Sequence, residues 1–222
     1  MQEYFKIREC DLHKLPDSVD DLALGAVVEP LSIGAQACWR GSVAKDQVVL
    51  VFGAGPIGIA VMLNAHCLGA KCILVDLKED RLQRAAELGA LATFSATDPD
   101  LKDKILSLTD GEGPHVTCDA VGHPALFEQC IDLVAPTGTV VLLGRDGRPN
   151  EVTELQIFRK EMTVVGSRMN SNMFPTILDR VASGQMKLEH MVSHRFEVDQ
   201  ATEAFKMAVE QPAGFLKAMI TF

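Results

Sequence analysis

From Gln47 onward, short apolar runs alternate along the chain with longer segments whose apolar residues recur at helical spacing. The apolar runs are rich in Val, Ile and Leu, which is typical of strands buried on both faces of a parallel sheet. They predict strands at 47–52, 71–75, about 92–94, 115–119, 138–143 and 162–166. The intervening segments predict helices at 57–68, 78–88, 99–108, 124–134, about 153–159 and 173–183.

This alternation predicts an α/β fold, with a doubly wound parallel sheet, helices on both of its faces and right-handed crossovers. Six strands fit the order 3-2-1-4-5-6. Ligands on such a sheet bind at the carboxyl ends of the strands, near the point where the strand order reverses. The loops that follow the strands are therefore where a site is expected.

The two ends of the chain do not follow this pattern. The first residues predict a short strand at Tyr4–Ile7 and a helix from about Glu29 to Arg40, with Pro30 at its first helical position. After Gly184 the pattern predicts a strand at 192–196, a helix at 200–210 and a last strand at 216–222. The pieces after Gly184 are too many for one such sheet, so we expect them to belong to the edge of a second domain.

One glycine-rich turn joins the first strand of the sheet to its helix, in the sequence Gly53-Ala-Gly55-Pro-Ile-Gly58. Gly53 permits a sharp turn, Gly55 lets a pyrophosphate approach the backbone, and Gly58 lets the helix pack closely on the sheet. The N-terminus of that helix favours an anion. Asp76 ends the next strand, where a carboxylate binds ribose hydroxyls and repels a 2′-phosphate. The unit predicts dinucleotide binding, with NAD favoured over NADP.

Two structural readings of the same stretch stay open at this point. A βαβ unit with a tight turn needs no ligand. The charge-free segment 47–70 is also long enough to span a membrane, but its glycines and Pro56 favour a strand followed by a buried helix.

Composition narrows the class of protein. The chain has 222 residues, 47% of them hydrophobic and 23% charged, with a formal net charge of −9. Without a basic patch, nucleic acid and anionic membranes are not expected partners. The N-terminus lacks the basic and apolar regions of a signal peptide, and the six cysteines form no CxxC pair. We therefore expect free thiols and a cytoplasmic location.

The six histidines offer no metal-binding pair with HExxH spacing. His66 and His194 are interpreted as structural. His123 precedes Pro124 and is interpreted as the start of a helix, although it lies beside the predicted cleft.

A series of motifs in order along the chain resembles the medium-chain zinc-dependent alcohol and polyol dehydrogenases, especially the sorbitol, threonine and sugar-acid branch. The resemblance extends from about Tyr4 to Phe222. The matching motifs are Lys14-Leu-Pro-Asp, Glu29-Pro-Leu-Ser, Val51-Phe-Gly-Ala-Gly-Pro-Ile-Gly, Leu68-Gly-Ala, Glu87-Leu-Gly-Ala, Asp119-Ala-Val-Gly, Gly166-Ser-Arg, Ser193-His-Arg-Phe and Ala204-Phe.

The resemblance implies a six-stranded Rossmann sheet with remnants of a GroES-like catalytic domain at both ends. On this interpretation 1–44 is the tail of the catalytic domain and an interdomain helix, 45–185 the NAD-binding domain, and 186–222 the return segment to the catalytic domain. The family's zinc-ligating Cys and His-Glu pair have no counterpart in this sequence, so the chain is expected to be truncated and zinc is not expected to be held by it alone. Glu29 matches a zinc-site carboxylate, although an acid that stabilises a helix N-terminus explains it equally.

The resemblance also implies a set of cofactor-binding residues, each of which has a purely structural alternative. Arg81 fits a solvated helix residue, the residues near Gly122 and Gly144 fit turn geometry, and Lys217 fits an exposed edge-strand lysine. The implied set is Gly53, Gly55, Pro56, Ile57, Gly58, Asp76, Arg81, Val121, Gly122, Leu143, Gly144, Arg145, Ser167, Arg168 and Lys217.

The function that the resemblance implies is hydride transfer between NAD and a secondary alcohol of a polyol or sugar acid, with a small-molecule substrate. In the family the zinc acts as a Lewis acid on the alcohol oxygen. The alternatives are a non-catalytic NAD-binding module or subunit, and a zinc-free oxidoreductase similar to quinone reductases. Relatives often pair through the edge strand of the sheet, so a homo-oligomer that uses the strand near 162–166 is expected.

Overall fold

The computed structural model describes Tyr4 and residues 6–222. Its central feature is a six-stranded sheet of order β3-β2-β1-β4-β5-β6 in which every pair of neighbours is parallel. This confirms the predicted doubly wound α/β sheet and its strand order. The strands are β1 Val48–Phe52, β2 Lys71–Asp76, β3 Ala92–Ser95, β4 Val116–Asp119, β5 Thr139–Leu142 and β6 Thr163–Gly166.

The helices predicted between these strands are all confirmed, each ending within about two residues of the predicted bounds. The helices of this part of the chain are α1 Val28–Arg40, α2 Pro56–Cys67, α3 Glu79–Glu87, α4 Leu101–Ser107, α5 Pro124–Leu133, α6 Glu154–Lys160 and α7 Phe174–Ala182. The segment 47–70, which composition alone allowed as a membrane span, is β1 followed by the buried helix α2.

Alternation along β1 divides the core between the two faces of the sheet. Val49 and Val51 face one apolar cluster, which is completed by residues of α1, α2 and α7. Leu50 and Phe52 face the other, which is completed by residues of α4 and α5. Because successive side chains of a strand point to opposite faces, a strand covered on both sides must be apolar at every position. That is why β1 and the inner residues 72–75 of β2 are unbroken apolar runs.

Helices α1 and α2 pack unusually closely, and this packing fixes where α2 begins relative to the sheet. A Cβ added at Gly34 of α1 would lie 2.4 Å from the backbone of Ala60 in α2. Beside this contact, the buried amide of Asn64 donates to the Leu31 carbonyl at 2.9 Å and to the Ala60 carbonyl at 2.7 Å. Arg180 of α7 donates to the Asn64 side-chain oxygen. The side-chain amide of Asn64 thus forms hydrogen bonds with all three helices, α1, α2 and α7.

Gly34→Ala should therefore destabilise the fold, although alanine is the better helix former by about 0.8–1.0 kcal/mol. The contact partner is backbone, which cannot move aside, so we expect a loss at or above the about 1–3 kcal/mol typical of overpacking. Thermal unfolding measures it. The matched control is Gly147→Ala, where an added Cβ meets nothing within 4 Å. Equal unfolding temperatures for the two variants would contradict the close packing of α1 on α2.

The N-terminal region differs from its prediction. Tyr4, Lys6 and Ile7 form no strand, and Phe5 lies outside the described residues, as do residues 1–3. Helix α1 begins at Val28, two positions before Pro30, because the 3-10 turn Leu22–Val27 leads directly into it. Pro30 still lies in the first helical turn, where its missing N–H leaves no bond unmade.

The last part of the chain forms a second sheet of two strands. Strands β7, His194–Glu197, and β8, Ala218–Thr221, pair in parallel and are connected through helix α8, Ala201–Glu210. This confirms the predicted strand, helix and strand. The Ser193 hydroxyl accepts from the backbone N–H groups of Leu216 and Lys217 at 2.9 and 3.0 Å, which holds the start of β7 beside the start of β8.

Within the described residues, one helical run, Leu22–Arg40, is long and apolar enough to cross a membrane by length and composition, with a mean hydropathy of 1.3. In the fold 61% of this apolar window is buried, with α1 packed between α2 and α7. A core helix of this kind meets the same test, so its apolar character is explained by packing.

The cysteines form no disulfide in the described part of the chain: Cys10 is exposed, Cys67 is half-buried, and Cys38, Cys72, Cys118 and Cys130 are buried. Burial raises the pKa of the Cys38 thiol to about 12 and that of Cys72 well above its ordinary value. The thiolate is the reactive form, and burial disfavours it.

At pH 8 we therefore expect Cys10 to react first with a thiol reagent in the native protein. Cys67 should react more slowly, and the four buried thiols only after denaturation. Timed labelling followed by peptide mass spectrometry measures the order. Modification of Cys38 in the folded protein at the rate of Cys10 would contradict the buried core.

Candidate functional site

The glycine turn after β1 has the conformation that its sequence predicts. Gly53 has a positive φ of 98°, and its N–H donates to the Val75 carbonyl at 2.7 Å. A Cβ on Gly58 would lie 1.7 Å from the Gly53 carbonyl oxygen, so only glycine allows α2 to start against the turn. A Cβ on Gly55 would meet only the Arg81 guanidinium, at 3.6 Å. The backbone at Gly55 therefore has only the end of one flexible side chain beside it.

Helix α2 begins at Pro56, one residue before the predicted Ile57, and no side chain caps it. Pro56 has no N–H to satisfy, and the first amide groups that follow have no partner within the helix. The helix thus has an uncapped, positively polarised end next to Gly55, whose backbone carries no side chain.

Asp76 holds the glycine turn against the end of β2. The side chain is 8% exposed. One carboxylate oxygen accepts from the Ala54 N–H at 2.7 Å, and the other accepts from the Lys78 N–H at 2.9 Å. The carboxylate therefore has a structural task that the sequence did not reveal. Since each oxygen has two lone pairs, it can still accept a further hydrogen bond from a ligand hydroxyl.

A cavity of about 400 Å³, here called the Asp76 cavity, opens beside this carboxylate. Four of the predicted site residues line it: Gly53, Asp76, Arg81 and Val121. The guanidinium Nη1 of Arg81 lies 3.6 Å from Asp76 Oδ2, and the Arg81 Nε is buried without a hydrogen-bond partner among the described residues. This N–H is therefore able to donate to a ligand bound in the cavity.

Gln211 fixes the position of Arg81 from the far end of the chain. The Arg81 Nη2 donates to Gln211 Oε1 at 2.8 Å, and the Lys78 ammonium donates to the Gln211 carbonyl at 3.0 Å. The Gly214 N–H donates to Asp80 at 2.6 Å. The sequence reasoning missed Gln211, because nothing in the local sequence marks a residue that approaches another 130 positions away.

The loops after β4 and β5 are locked together next to the turn. Asp119, 2% exposed, accepts from the N–H groups of Val121 and Gly122 at 2.9 and 2.8 Å. A Cβ on Gly144 would lie 2.1 Å from the Gly122 nitrogen. Turn geometry thus explains both glycines, as the structural alternative predicted. The contact between Gly122 and Gly144 also fixes the backbone position of the next residue, Arg145.

A second cavity, of about 710 Å³, lies at the ends of β4, β5 and β6 and is here called the Arg168 cavity. It gathers five further predicted residues, Leu143, Gly144, Arg145, Ser167 and Arg168, together with Ile57 of α2. The hydroxyl of Ser167 is buried and has no partner among the described residues. The two cavities flank the glycine turn, since Gly53 lines one and Ile57 lines the other.

Six predicted residues line neither cavity: Gly55, Pro56 and Gly58 of the glycine turn, Gly122, Lys217 and Glu29. Lys217 is half-buried just before β8 and lines neither of them. Glu29 is exposed in the first turn of α1.

The histidines have the structural roles predicted for them. His123 caps α5 by accepting from the Ala125 N–H at 3.3 Å. His194 stacks on Phe215 with 5.6 Å between ring centroids. Burial lowers the pKa of His66, which favours its neutral form.

A zinc ion does not fit the residues on hand. Among the described residues, no three His, Cys, Asp or Glu side chains lie close enough together to share a metal. A catalytic zinc needs about three protein ligands, and the exposed Glu29 offers one.

Comparison with known proteins places this geometry in a family. The starvation-sensing protein RspB of Escherichia coli (strain K12) is 28% identical over 222 residues, covering 99% of this chain and 65% of its own length. The sorbitol dehydrogenase of Rattus norvegicus is 36% identical over 200 residues, covering 88% of this chain and 56% of its own. The chain therefore spans less than two thirds of the length of these relatives.

The fold has solved counterparts. The crystal structure of an alcohol dehydrogenase (rspB) from E. coli CFT073, complexed with the cofactor NADH, superposes with a TM-score of 0.88 at 28% identity, covering 95% of this chain and 62% of that one. The sequence profile of the zinc-binding dehydrogenases matches residues 56–183, which is more than half of the chain and spans α2 to α7. The chain thus belongs to the zinc-binding dehydrogenase family.

Proposed function

We propose that this chain binds NAD and is the cofactor-binding part of a dehydrogenase that moves a hydride between NAD and a secondary alcohol of a polyol or sugar acid. The main support for the proposal is the glycine turn. Its backbone at Gly55 carries no side chain, a hydrogen bond connects it to Asp76, and a cavity lies on either side of it. Buried polar atoms of Arg81 and Ser167, one at each cavity, have no partner among the described residues. This donor set fits a dinucleotide that lies across the turn.

In this proposal each cavity receives one half of the cofactor. The N-terminus of α2, with Gly53, Gly55, Pro56, Ile57 and Gly58, holds the pyrophosphate. Asp76 and Arg81 hold the adenosine. The nicotinamide half is bound by Val121, Gly122, Leu143, Gly144, Arg145, Ser167 and Arg168, and Lys217 reaches the pyrophosphate from the C-terminal segment.

NAD, when bound, supplies the hydride acceptor or donor at its nicotinamide ring. The chain's own residues orient that ring and exclude water from it. Ile33, Ile57, Leu142 and Leu143 give the Arg168 cavity apolar walls, and the buried hydroxyl of Ser167 offers it a hydrogen bond.

We also propose the three regions 1–44, 45–185 and 186–222 as a catalytic-domain tail, the NAD-binding domain and a return segment. The separate β7–β8 pair supports this division.

Titration with NADH, followed by its fluorescence, tests the cofactor assignment. We expect binding in the micromolar range and little or no oxidation of a polyol by the isolated chain. Folded protein that binds no NADH at millimolar concentration would overturn the cofactor assignment. Robust zinc-dependent polyol oxidation by the 222-residue chain would overturn the proposed division of labour.

A second candidate is a non-catalytic NAD-binding module that acts as a subunit or sensor. The lack of a metal-ligating group among the described residues favours it. A pull-down from the native source, using the NADH-loaded chain, discriminates the two: a stoichiometric catalytic chain as partner supports the module.

We also propose that the substrate is a small molecule and that the protein is located in the cytoplasm. We propose further that copies of the chain pair through β6 to form a homo-oligomer. In the described residues β6 is the last strand of the sheet, and it pairs only with β5. An unpaired strand edge is a ready surface for a second copy. Light scattering after size-exclusion chromatography should give twice the 24.1 kDa chain mass.

A further inference from the structure

A third cavity, of about 410 Å³, lies between α1 and α7 and is here called the Trp39 cavity. None of the residues that line it lines the Asp76 cavity or the Arg168 cavity. Leu68, which follows the last residue of α2, is part of its wall, whereas the glycine turn precedes the first. A helix of 12 residues is about 18 Å long, so this cavity and the glycine turn lie at opposite ends of α2.

The wall of the Trp39 cavity is mostly apolar and carries a single charge. Trp39, the only tryptophan of the chain, is 62% exposed. The cation is Arg180 of α7, and none of the described residues that line the cavity is Asp or Glu. Further apolar walls come from Ala35, Val43, Leu68 and Met173. Small-molecule sites commonly have this composition, with volumes of about 300–1,000 Å³.

Arg180 is held in this wall without a counter-charge. The side chain is half-buried, and its Nη1 donates to Asn64 Oδ1. The Asn64 amide is fixed in turn, because it donates to the carbonyls of Leu31 and Ala60 at 2.9 and 2.7 Å. Within the described part of the chain, Arg180 forms no ion pair, so a neutral amide is the group that orients its guanidinium.

The thiols on which Arg180 acts do not supply the missing negative charge. Burial raises the pKa of Cys38 to about 12 and also raises that of Cys67, although Arg180 opposes both shifts. Both thiols therefore stay protonated at neutral pH. A charge that is partly removed from water costs free energy unless an opposite charge pairs with it. The guanidinium of Arg180 thus favours an anion in the cavity.

We propose that the Trp39 cavity is a second small-molecule site, which binds an organic carboxylate with an aromatic or other apolar body. The planar guanidinium of Arg180 matches the two oxygens of a carboxylate. Thr176 adds a hydroxyl whose present contact is the weak acceptor Met173 Sδ, at 3.9 Å. The apolar body of the ligand packs against Trp39. One cation among apolar walls matches this singly charged class better than a phosphate, which has a higher charge and no apolar part.

Titration with phenylacetate and with phenylacetamide, followed by the fluorescence of Trp39, tests the proposal. The two probes share the ring and differ in a carboxylate against a neutral amide. We expect a saturable change with phenylacetate, bound at least about tenfold more tightly than phenylacetamide, the ratio expected from one charged hydrogen-bonded pair. Arg180→Gln should remove that preference. Arg159→Gln, on α6, is the matched control and should leave it unchanged, because Arg159 is exposed and does not line the cavity.

A second variant keeps the test decisive if Arg180→Gln, which also alters the contact with Asn64, fails to fold. Leu68→Phe fills part of the cavity and leaves Arg180 and Asn64 in place. It should weaken phenylacetate binding, and an unchanged dissociation constant would overturn the proposal.

Equal affinity for the two probes would also overturn it, as would a preference that persists in folded Arg180→Gln. A fluorescence of Trp39 that changes with protein concentration and with neither probe would show instead that a second copy of the chain covers the cavity. The titration uses no NADH, so its result is independent of the proposed function.

Discussion

Gly55→Ala should remove most of the affinity for NADH and leave the stability of the fold unchanged, whereas Gly58→Ala should unfold the protein at a clearly lower temperature. The two glycines lie in one turn, three positions apart. They differ in what an added Cβ would meet: at Gly55 only the end of the Arg81 side chain, 3.6 Å away, and at Gly58 the Gly53 carbonyl oxygen, 1.7 Å away.

The affinity loss for Gly55→Ala follows from the proposed position of the pyrophosphate. A methyl group on the bare backbone keeps the phosphates away from the amide groups at the start of α2. Each lost hydrogen bond to a charged group costs about 1.5–3 kcal/mol, or roughly 10- to 150-fold in the dissociation constant. The fluorescence titration with NADH measures this change.

The stability loss for Gly58→Ala follows from overlap with backbone. Overpacking costs about 1–3 kcal/mol where side chains can move, and here they cannot, so we expect about 3 kcal/mol or more. For a domain of this size that lowers the melting temperature by roughly 6–12 °C. Differential scanning calorimetry of both variants provides the comparison. A Gly55→Ala variant with unchanged NADH affinity would argue against a pyrophosphate at this turn.

The sheet could be predicted from the sequence because burial on both faces requires an apolar residue at each position of its inner strands. A parallel strand covered on both faces is apolar throughout, as in β1, and the helices between such strands keep one apolar side. The order of the strands was predicted from the doubly wound pattern that six such strands fit. The glycine turn could also be predicted from the sequence, because the positive φ of Gly53 and the close contact at Gly58 each favour glycine over other residues.

The second task of Asp76 could not be predicted. An acid at the end of a strand indicates a ribose partner, but only the three-dimensional turn brings its carboxylate within 2.7 Å of the Ala54 N–H. Gln211 was missed for the same reason. Its neighbours in sequence are ordinary, and its left-handed backbone, with a φ of 45°, places it over α3. The start of α1 was misjudged because a 3-10 turn leads into it without a break.

Hydrogen bonds link helix α3 to the C-terminal segment. Helix α3 carries the adenosine side of the proposed site, and it is held by the C-terminal segment at three points. Gln211 contacts Lys78 and Arg81, Gly214 contacts Asp80, and Arg84 donates to the carbonyls of residues 190 and 192. Displacement of the C-terminal segment would release Arg81 from above Asp76. If the adenosine binds here as proposed, we expect cofactor affinity to depend on the docking of this segment, which lies outside the six-stranded sheet.

The same geometry sets the expected preference between cofactors. Asp76→Asn should shift the chain from NADH toward NADPH. The carboxylate both repels a 2′-phosphate and occupies Arg81, whose Nη1 is 3.6 Å away. Two unit charges 4 Å apart interact by about 4 kcal/mol at an effective dielectric constant of about 20. Part of this is offset by the altered bonds to Ala54 and Lys78, so we expect the ratio of the NADPH to the NADH dissociation constant to fall by about 100-fold.

The measurement is a pair of fluorescence titrations on each variant. Asn keeps the shape of the side chain but turns an amide N–H₂ toward one backbone N–H, so a loss of stability of about 1–3 kcal/mol is expected as well. This loss does not confuse the result, because the fraction of folded protein cancels in the ratio of two constants measured on the same variant. Asp80→Asn is the control: it removes a neighbouring charge on α3 that does not line the Asp76 cavity. If it shifts the ratio as far as Asp76→Asn does, the preference comes from the general field of α3 and not from the carboxylate at the end of β2. An unchanged ratio in Asp76→Asn would mean that the ribose of the cofactor lies elsewhere.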